Sequence, residues 1–396
     1  MDRRELLQSL AATAAAAKMT PTDDSAAPPE TQVNPARTQD SAAAPVNLHE
    51  FEALARKRIT RMAYDYIAGG SADEVTLRRN RESFEEIRLK PRVLVDVSKL
   101  DTRLTLLGQE FDFPILLAPA AYHKLVHPEG ELATARGAAA AGATLVVSSF
   151  ATAAIERVAK STSGRLWFQL YCQPDRGFTR DLIARAEAAG CRALVITVDT
   201  PVGPIRDREA RVKFELPAGM EMENLRPLTS KTGADDRRHA RMYSTVLDPT
   251  LTWETVAWIR SLTRVPVILK GILAPEDARK AADSGADAII VSNHGARNLD
   301  SSPASIEALP RAMEAVQGKI PMLMDGGVRR GTDVLKALAL GANAVLIGRP
   351  YLWGLASYGA DGVQQVTEML RKEFEVAMAL SGATSLAGVN RSVLWP

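Results

Sequence analysis

The chain has 396 residues, a formal net charge of +2, and 46% hydrophobic and 24% charged residues. This is ordinary globular composition with enough apolar material for a large core, and it lacks the dense Lys/Arg patch with interleaved aromatics that nucleic-acid binding uses. The two cysteines, Cys172 and Cys191, are too few for a disulfide framework and lack metal-ligand spacing, so they read as buried small hydrophobes; no apolar run reaches the ~20 residues of a membrane span.

In chain order, residues 2–17 read Asp-Arg-Arg-Glu-Leu-Leu-Gln and then an Ala-rich stretch. The Arg3-Arg4 pair ahead of apolar residues reads as a twin-arginine export signal, which places the protein in the periplasm. The alternative is a frayed tail on a cytoplasmic protein. Residues 18–46 are rich in Pro, Thr, Ser and Ala without periodicity. Such a segment buries too little apolar surface to offset its ordering entropy, so residues 1–46 divide into signal and disordered linker. From Asn47 the composition is globular. Residues 47–68 are predicted helical, with Leu48, Phe51, Leu54 and Ala55 on one face.

Short apolar runs then recur at 115–118, 144–149, 166–171, 193–198, 266–270, 288–292, 321–324 and 344–347. They show little polar alternation, as strands of a parallel sheet covered on both faces do. Helical segments lie between them, at 129–141, 152–159, 180–189, 252–261, 275–284, 305–316 and 331–340, with a last one at 363–380. Pro275 stands at a helix start, and Gly142, Gly190, Gly285 and Gly341 at helix ends. Eight strands alternating with eight helices predict an α/β fold, a (β/α)₈ TIM barrel, over 47–396. Residues 201 to about 250 interrupt the rhythm; this insertion reads as polar and charged, not as a membrane-docking loop.

In such barrels the active site lies at the C-terminal ends of the strands. Polar and small residues collect there: Pro119-Ala120-Ala121, Ser148-Ser149-Phe150, Gln169-Leu170-Tyr171, Thr197-Val198-Asp199, Lys270, Ser292 to Arg297, Asp325 to Arg329, and Gly348-Arg349. Gly326 and Gly327 let backbone N–H groups approach a ligand, and Arg329 and Arg349 supply forks that match phosphate. A phosphate-bearing cofactor is indicated by that placement. His294 stands three residues before Arg297. A base beside a carboxylate-binding arginine suits an acid substrate, and Asp199 on another strand is placed to orient it.

The runs Ser-Asn-His-Gly-Ala-Arg-Asn-Leu-Asp (292–300) and Asp-Gly-Gly-Val-Arg-Arg-Gly-Thr-Asp (325–333) resemble the signature of the FMN-dependent L-2-hydroxy-acid oxidases and dehydrogenases, which include glycolate oxidase, lactate oxidase and mandelate dehydrogenase. Residues 64–70, 127–131, 168–171, 197–199 and 270–271 fit as well, so the resemblance spans nearly all of 47–392. It implies non-covalent FMN, a hydroxy-acid substrate, oxygen, a quinone or a carrier protein as re-oxidant, and a homotetramer. Carried over position by position, His294 matches the base and Asp199 the carboxylate that holds it. Arg297 and Arg208 match the arginines that grip the substrate carboxylate, and Tyr66 and Tyr171 the phenols on the substrate's oxygens. Lys270 matches the lysine at the flavin N1/O2 edge. Pro119, Ala120, Ala121, Ser148, Gln169, Thr197 and Ser292 match flavin-contacting positions, and Asp325 a ribityl contact. Gly326, Gly327, Arg329, Gly348 and Arg349 fall around the phosphate.

Two departures bear on the substrate. Ala120 stands where glycolate oxidases have threonine, and Phe150 where they have tryptophan, so the expected substrate is lactate or a larger hydroxy acid, with Phe150 and Tyr122 beside its side chain. The loop from Thr200 to Glu209 reads as two residues longer than in glycolate oxidase; Arg208 is anchored on Glu209, with Arg206 as the other choice. A decarboxylating lactate monooxygenase, a flavin-dependent isopentenyl-diphosphate isomerase and a silent flavin-binding protein are the competing readings.

Overall fold

Among the described residues, 44–226, 242–244 and 246–396 of the computed structural model, eight parallel strands close into a barrel. The export signal expected at Arg3-Arg4, and the expected linker up to residue 43, fall outside these residues. Helices α1 (Leu48–Arg58), α2 (Arg61–Ala68) and α3 (Val75–Glu86) precede the sheet. A hairpin of β1 (Leu104–Leu106) and β2 (Gln109–Phe111) follows. The barrel strands are β3 (Ile115–Leu117), β4 (Leu145–Ser148), β5 (Leu166–Leu170), β6 (Leu194–Thr197), β7 (Val267–Ile272), β8 (Ala288–Val291), β9 (Met322–Asp325) and β10 (Ala344–Ile347). They pair in chain order, and β10 closes on β3.

The predicted strands therefore stand within one or two residues, and the helices between them differ only at their ends. Two helical segments differ more. The segment predicted over 47–68 is two helices: the chain leaves helical geometry at Ile59, and Thr60 starts α2 by accepting the Ala63 N–H at 3.2 Å. The last helix, α12 in chain order, runs Arg349–Leu380 with a break at Tyr358 and Gly359, so it begins well before residue 363. Helix α3 and the hairpin were not predicted.

The strands' period of two builds the site. Leu116, Val146, Trp167, Val195, Ile268, Ile290, Leu323 and Leu346 point into the barrel and form one dry cluster with Leu106 and Phe111 of the hairpin. Trp167 donates its indole N–H to Gln109 at 3.2 Å, which leaves no polar group of that ring stranded. Two residues further on, the same inward row reads Ala118, Ser148, Gln169, Thr197, Lys270, Ser292, Asp325 and Gly348. Outward residues such as Leu117, Val147, Phe168, Ile196 and Met324 pack under the helices. One layer of the barrel is thus apolar and the next is polar. The polar layer is the floor of a cavity of about 270 Å³. Among the described residues no helix is long and apolar enough to cross a membrane.

Candidate active site

Neighbouring strands tie the floor together. Ser148 Oγ donates to Gln169 Oε1 at 2.9 Å, and Gln169 Nε2 donates to Thr197 Oγ1 at 2.9 Å. Lys270 Nζ donates to Ser292 Oγ at 3.0 Å and pairs with Asp325 Oδ2 at 3.2 Å. All six side chains are buried, and a buried polar network is stable only when its members are satisfied. One atom departs from this: Asp325 Oδ1 is buried and has no partner among the described residues.

His294 sits above this floor. Its Nδ1 is 2.9 Å from Asp199 Oδ1, and its Nε2 is 3.2 Å from the Tyr171 hydroxyl. Burial pushes the imidazole below the ordinary histidine value; the Asp199 charge opposes this, and Lys270 and Arg206 add to it. For Asp199, burial pulls upward, but the His294 charge and hydrogen bond, Lys270 and Thr200 outweigh it and hold the carboxyl below its usual range. The pair is therefore an ionised Asp199 beside a neutral His294. Gly271, at φ +108°, makes room for the carboxylate: a Cβ there would stand 2.4 Å from Asp199 Cγ. The Lys-Gly pair at the end of β7 thus has a packing reason.

Two guanidiniums occupy one side. Arg297 donates to the carbonyls of Tyr66 and Gly69 at 2.6 and 2.9 Å, and its carbon lies 4.8 Å from the Tyr66 ring centre. Arg206 donates to the Arg297 carbonyl at 3.1 Å. The Glu209 carboxylate joins them, at 3.0 Å from Arg206 and 2.8 Å from Arg297. Arg208 points elsewhere, pairing with Glu74 at 2.6 Å. It does not line the cavity, whereas Arg206 does. The placement of Arg208 in the site is therefore corrected to Arg206. The reason is helix α7 (Asp207–Arg211), whose short turn aims alternate residues to different sides.

The opposite end of the cavity is built for an anion. Gly326 and Gly327 adopt φ +94° and +88°, and a Cβ on Gly327 would stand 2.0 Å from the Asn80 carbonyl oxygen. Arg349 opens α12 and donates to three carbonyls, of Ile67 at 2.7 Å, Gly295 at 3.0 Å and Gly69 at 2.8 Å. Arg329 donates to the Val328 carbonyl at 2.9 Å. Neither is ion-paired with a carboxylate among the described residues. Burial, and then neighbouring guanidiniums, push Arg329 down to about 10 and Arg349 to about 9. Two partly buried cations, one of them opening a helix, short of anionic partners, are a ready phosphate site.

The remaining wall is apolar. Tyr122, Phe150, Met222, Val246 and Leu247 line it. Phe150 packs on Tyr171 at 4.5 Å between ring centres, and Tyr66 stacks on Phe214 at 4.3 Å. Burial raises the phenols of Tyr66, Tyr122 and Tyr171, so all three stay protonated.

The predicted residues fall as follows. Tyr66, Pro119, Ala120, Ala121, Ser148, Phe150, Gln169, Tyr171, Thr197, Lys270, His294, Arg297, Asp325, Gly326, Gly327, Arg329, Gly348 and Arg349 all line the cavity. Asp199 lies behind His294 rather than on the wall. Ser292 lies beneath it, accepting from Lys270 Nζ and from the His294 N–H at 3.0 Å. Sequence reasoning missed Thr200, Glu209, Met222, Val246 and Leu247. Thr200 and Glu209 flank residues that were singled out; the three apolar residues come from an insertion whose overall polarity hid them.

A family model described as FMN-dependent dehydrogenase matches residues 55–396. The chain belongs to that family. It is 48% identical to an L-lactate oxidase of Nostoc sp., with 88% of this chain and 98% of that protein covered. It is 47% identical to glycolate oxidase 1 of Oryza sativa subsp. indica, with 88% and 95% covered. A solved structure of mandelate oxidase with (S)-2-phenylpropionate superimposes with a TM-score of 0.80 at 41% identity, covering 89% of this chain and 98% of that one. As a member of the FMN-dependent dehydrogenase family it is an oxidoreductase that uses FMN, and the cavity fits the cofactor. The phosphate end supplies uncompensated arginines, and Asp325 Oδ1 is a buried acceptor short of a donor.

Proposed function

We propose that this protein oxidises an L-2-hydroxy acid with an apolar side chain to the 2-keto acid. The observation that carries this is His294 Nε2 facing the cavity beside Tyr171, with Asp199 behind it and Arg206 and Arg297 at the same site. A neutral base, two cations and two protonated phenols around one cavity suit a substrate with an acidifiable hydroxyl next to a carboxylate. The relatives named L-lactate oxidase, glycolate oxidase and mandelate oxidase support the same class.

In this reading His294 Nε2 takes one proton from the substrate, and ionised Asp199 stabilises the imidazolium that results. Arg206 and Arg297 hold the substrate carboxylate by charge-assisted bonds, with Glu209 fixing both guanidiniums. Tyr66 and Tyr171 donate to the substrate's oxygens. Ala120, Ala121, Ser148, Gln169, Thr197 and Lys270 would hold the flavin ring with Pro119, Asp325 the ribityl chain, and Gly326, Gly327, Arg329, Gly348 and Arg349 the phosphate. FMN, when bound, supplies the two-electron acceptor. The cavity's apolar wall takes the substrate side chain, so lactate and larger hydroxy acids outperform glycolate.

Molecular oxygen is the proposed re-oxidant, because the relatives are named oxidases. The test is a racemic panel of glycolate, lactate, 2-hydroxy-octanoate and mandelate. Under anaerobic conditions the flavin absorbance bleaches with the preferred acids. In air one equivalent each of oxygen consumed, hydrogen peroxide and 2-keto acid is formed. No bleaching by any acid overturns the assignment, and recovery of the chain-shortened carboxylate instead of the keto acid gives the monooxygenase reading. Export through Arg3-Arg4 and a homotetramer belong to the same proposal; fractionation of cells making the Arg3→Lys/Arg4→Lys variant, and light scattering of the purified protein, test them.

A further inference from the structure

The pair of His294 and Asp199 is held by two groups that the functional reading leaves unused. Thr200 follows Asp199 beyond β6, and Asn298 follows Arg297 beyond β8. They meet only because the barrel brings these strand ends together. The Asn298 amide donates one N–H to the Asp199 backbone carbonyl at 2.8 Å and the other to Thr200 Oγ1 at 2.8 Å. Reversing that amide would set oxygen against a carbonyl oxygen, so the partners fix its orientation. Ser71 anchors the segment from the other side, donating to the Asn298 carbonyl at 2.6 Å.

Thr200 Oγ1 is 3.1 Å from Asp199 Oδ1 and 3.3 Å from His294 Nδ1. It owns a single hydrogen. Its oxygen already accepts from Asn298, and the ionised carboxylate only accepts, so the hydrogen goes to Oδ1. Nδ1 of His294 stands 2.9 Å from that same oxygen. Without a hydrogen, Nδ1 would set its lone pair against those of the carboxylate. The hydrogen of neutral His294 therefore sits on Nδ1, and the lone pair on Nε2 faces the Tyr171 hydroxyl and the cavity.

We propose that Thr200 and Asn298 are positioning residues that hold and temper Asp199, the partner of the Nδ1–H of His294, and so set the pH at which Nε2 becomes available as a base. The proposal rests on the reading of His294 as the base. The hydroxyl of Thr200 spreads the negative charge of Asp199, which then pulls less on the imidazolium. The other charged or titratable groups facing His294 are Lys270 on β7, Arg206 in the loop beyond β6 and Tyr171 beyond β5. None of them is altered by changing Thr200 or Asn298.

The test uses the FMN holoenzyme and two readouts. One is the pH profile of kcat/KM for Thr200→Val, Thr200→Ser and Asn298→Leu. With the hydroxyl gone, Asp199 holds the imidazolium more tightly, and the acid limb moves up by about one pH unit, the size of a lost hydrogen bond to a charged group. Thr200→Ser keeps the wild-type limb, and Asn298→Leu moves it in the same direction as Thr200→Val. The other readout is nitrogen NMR of histidine-labelled protein, with the His294 signals assigned by their loss in His294→Gln. Wild type shows a protonated Nδ1 and a bare Nε2, and the titration of His294 in Thr200→Val moves up with the kinetic limb. A Thr200→Val profile that superimposes on wild type, or a wild-type His294 protonated on Nε2, overturns the proposal. Should Thr200→Val fail to fold, Asn298→Leu decides: a limb and His294 titration that match wild type overturn the proposal. A wild-type protein that oxidises no hydroxy acid sinks the functional reading instead, while the tautomer and the NMR titration still test this one.

Discussion

His294, Gly295 and Ala296 follow one another in the left-handed region, at φ 58°, 61° and 63°. Two non-glycine residues in that region cost about 1–3 kcal/mol each, and the surroundings hold them there. Asn293 Oδ1 accepts the Ala296 N–H at 3.0 Å, and Asn80 locks Asn293 through paired amides at 2.7 and 3.0 Å. His294, the proposed base, is therefore presented by a rigid turn. His294→Gln is expected to keep FMN and lose about 10²–10⁴-fold in kcat, measured by steady-state turnover against flavin content; near-normal kcat removes His294 from its role. The pH dependence follows from sign. A histidine held below its usual value is neutral above that depressed value and protonated below it. Activity is then full at neutral pH and falls only as pH drops below the ordinary histidine range near ~6.5; a limb at or above that range contradicts the burial argument. Arg206 and Arg208 give a sharper contrast. Arg206→Met loses about 10–100-fold in kcat/KM, the worth of a charge-assisted bond, while Arg208→Met, which breaks a partly buried pair with Glu74 away from the cavity, stays within about twofold. The reverse ranking returns Arg208 to the site. His294, Asp199 and Lys270 were legible because each ends an apolar strand, where a period of two dictates direction. Arg206 was not, because an irregular loop has no period to count by.

At the scale of elements, legibility followed how locally each was specified. The eight strands announce themselves through unbroken apolar runs buried on both faces. Helix α3 does not. Its buried residues are Thr76, Asn80, Ser83 and Phe84, three of them polar, so no apolar stripe marks it. Its N-terminus is capped from far away: Asp300 accepts from the N–H groups of Val75 and Thr76 at 3.2 and 2.8 Å. A cap more than two hundred residues distant leaves no trace in the local sequence. The insertion after β6 misled for another reason. It carries as many charged residues as hydrophobic ones, with no apolar run, yet Met222, Val246 and Leu247 turn inward to the cavity. Met222 sulfur also accepts from the Tyr122 hydroxyl at 3.6 Å, so both side chains belong to one wall. Met222→Ala is expected to shift kcat/KM toward aryl hydroxy acids over lactate by about tenfold, since methylene-scale changes in an apolar pocket are worth ~1–3 kcal/mol. Phe150→Trp, on the same apolar wall, narrows the range toward small acids. The panel ranking measures both, and an order unchanged by either substitution means the side chain binds elsewhere.

At the scale of the molecule, the alternation of an apolar and a polar layer was written in the strands, and the closed barrel followed from eight repeats of one unit. The connections across the top were not, because they run between residues far apart in the chain. Arg349 is the clearest case. It ties α2, through Ile67 and Gly69, to Gly295 beside the base. Arg297 holds the same Gly69 carbonyl, so the end proposed for the cofactor's phosphate and the arginine proposed for the substrate share a hub. Burial and neighbouring guanidiniums, Arg81 beside Arg329 and Arg297 and Arg329 beside Arg349, weigh on the two arginines when no anion is near. A guanidinium whose value is depressed by folding destabilises the fold while it stays charged, and a bound phosphate offsets that cost by supplying the missing negative charge. Removing FMN should therefore lower the melting temperature by several degrees. A ligand that binds only the folded state stabilises it by about 2.7 kcal/mol at 100 times its Kd. Inorganic phosphate added to the apoprotein should restore part of the loss and FMN all of it, read by calorimetry at fixed ionic strength with chloride as the control. Arg349→Met should abolish the phosphate increment, and Arg329→Met should reduce it if the first variant folds poorly. An apoprotein that melts at the holoenzyme's temperature, or that gains as much from chloride as from phosphate, means that the glycine-arginine end is not where the cofactor's charge is held.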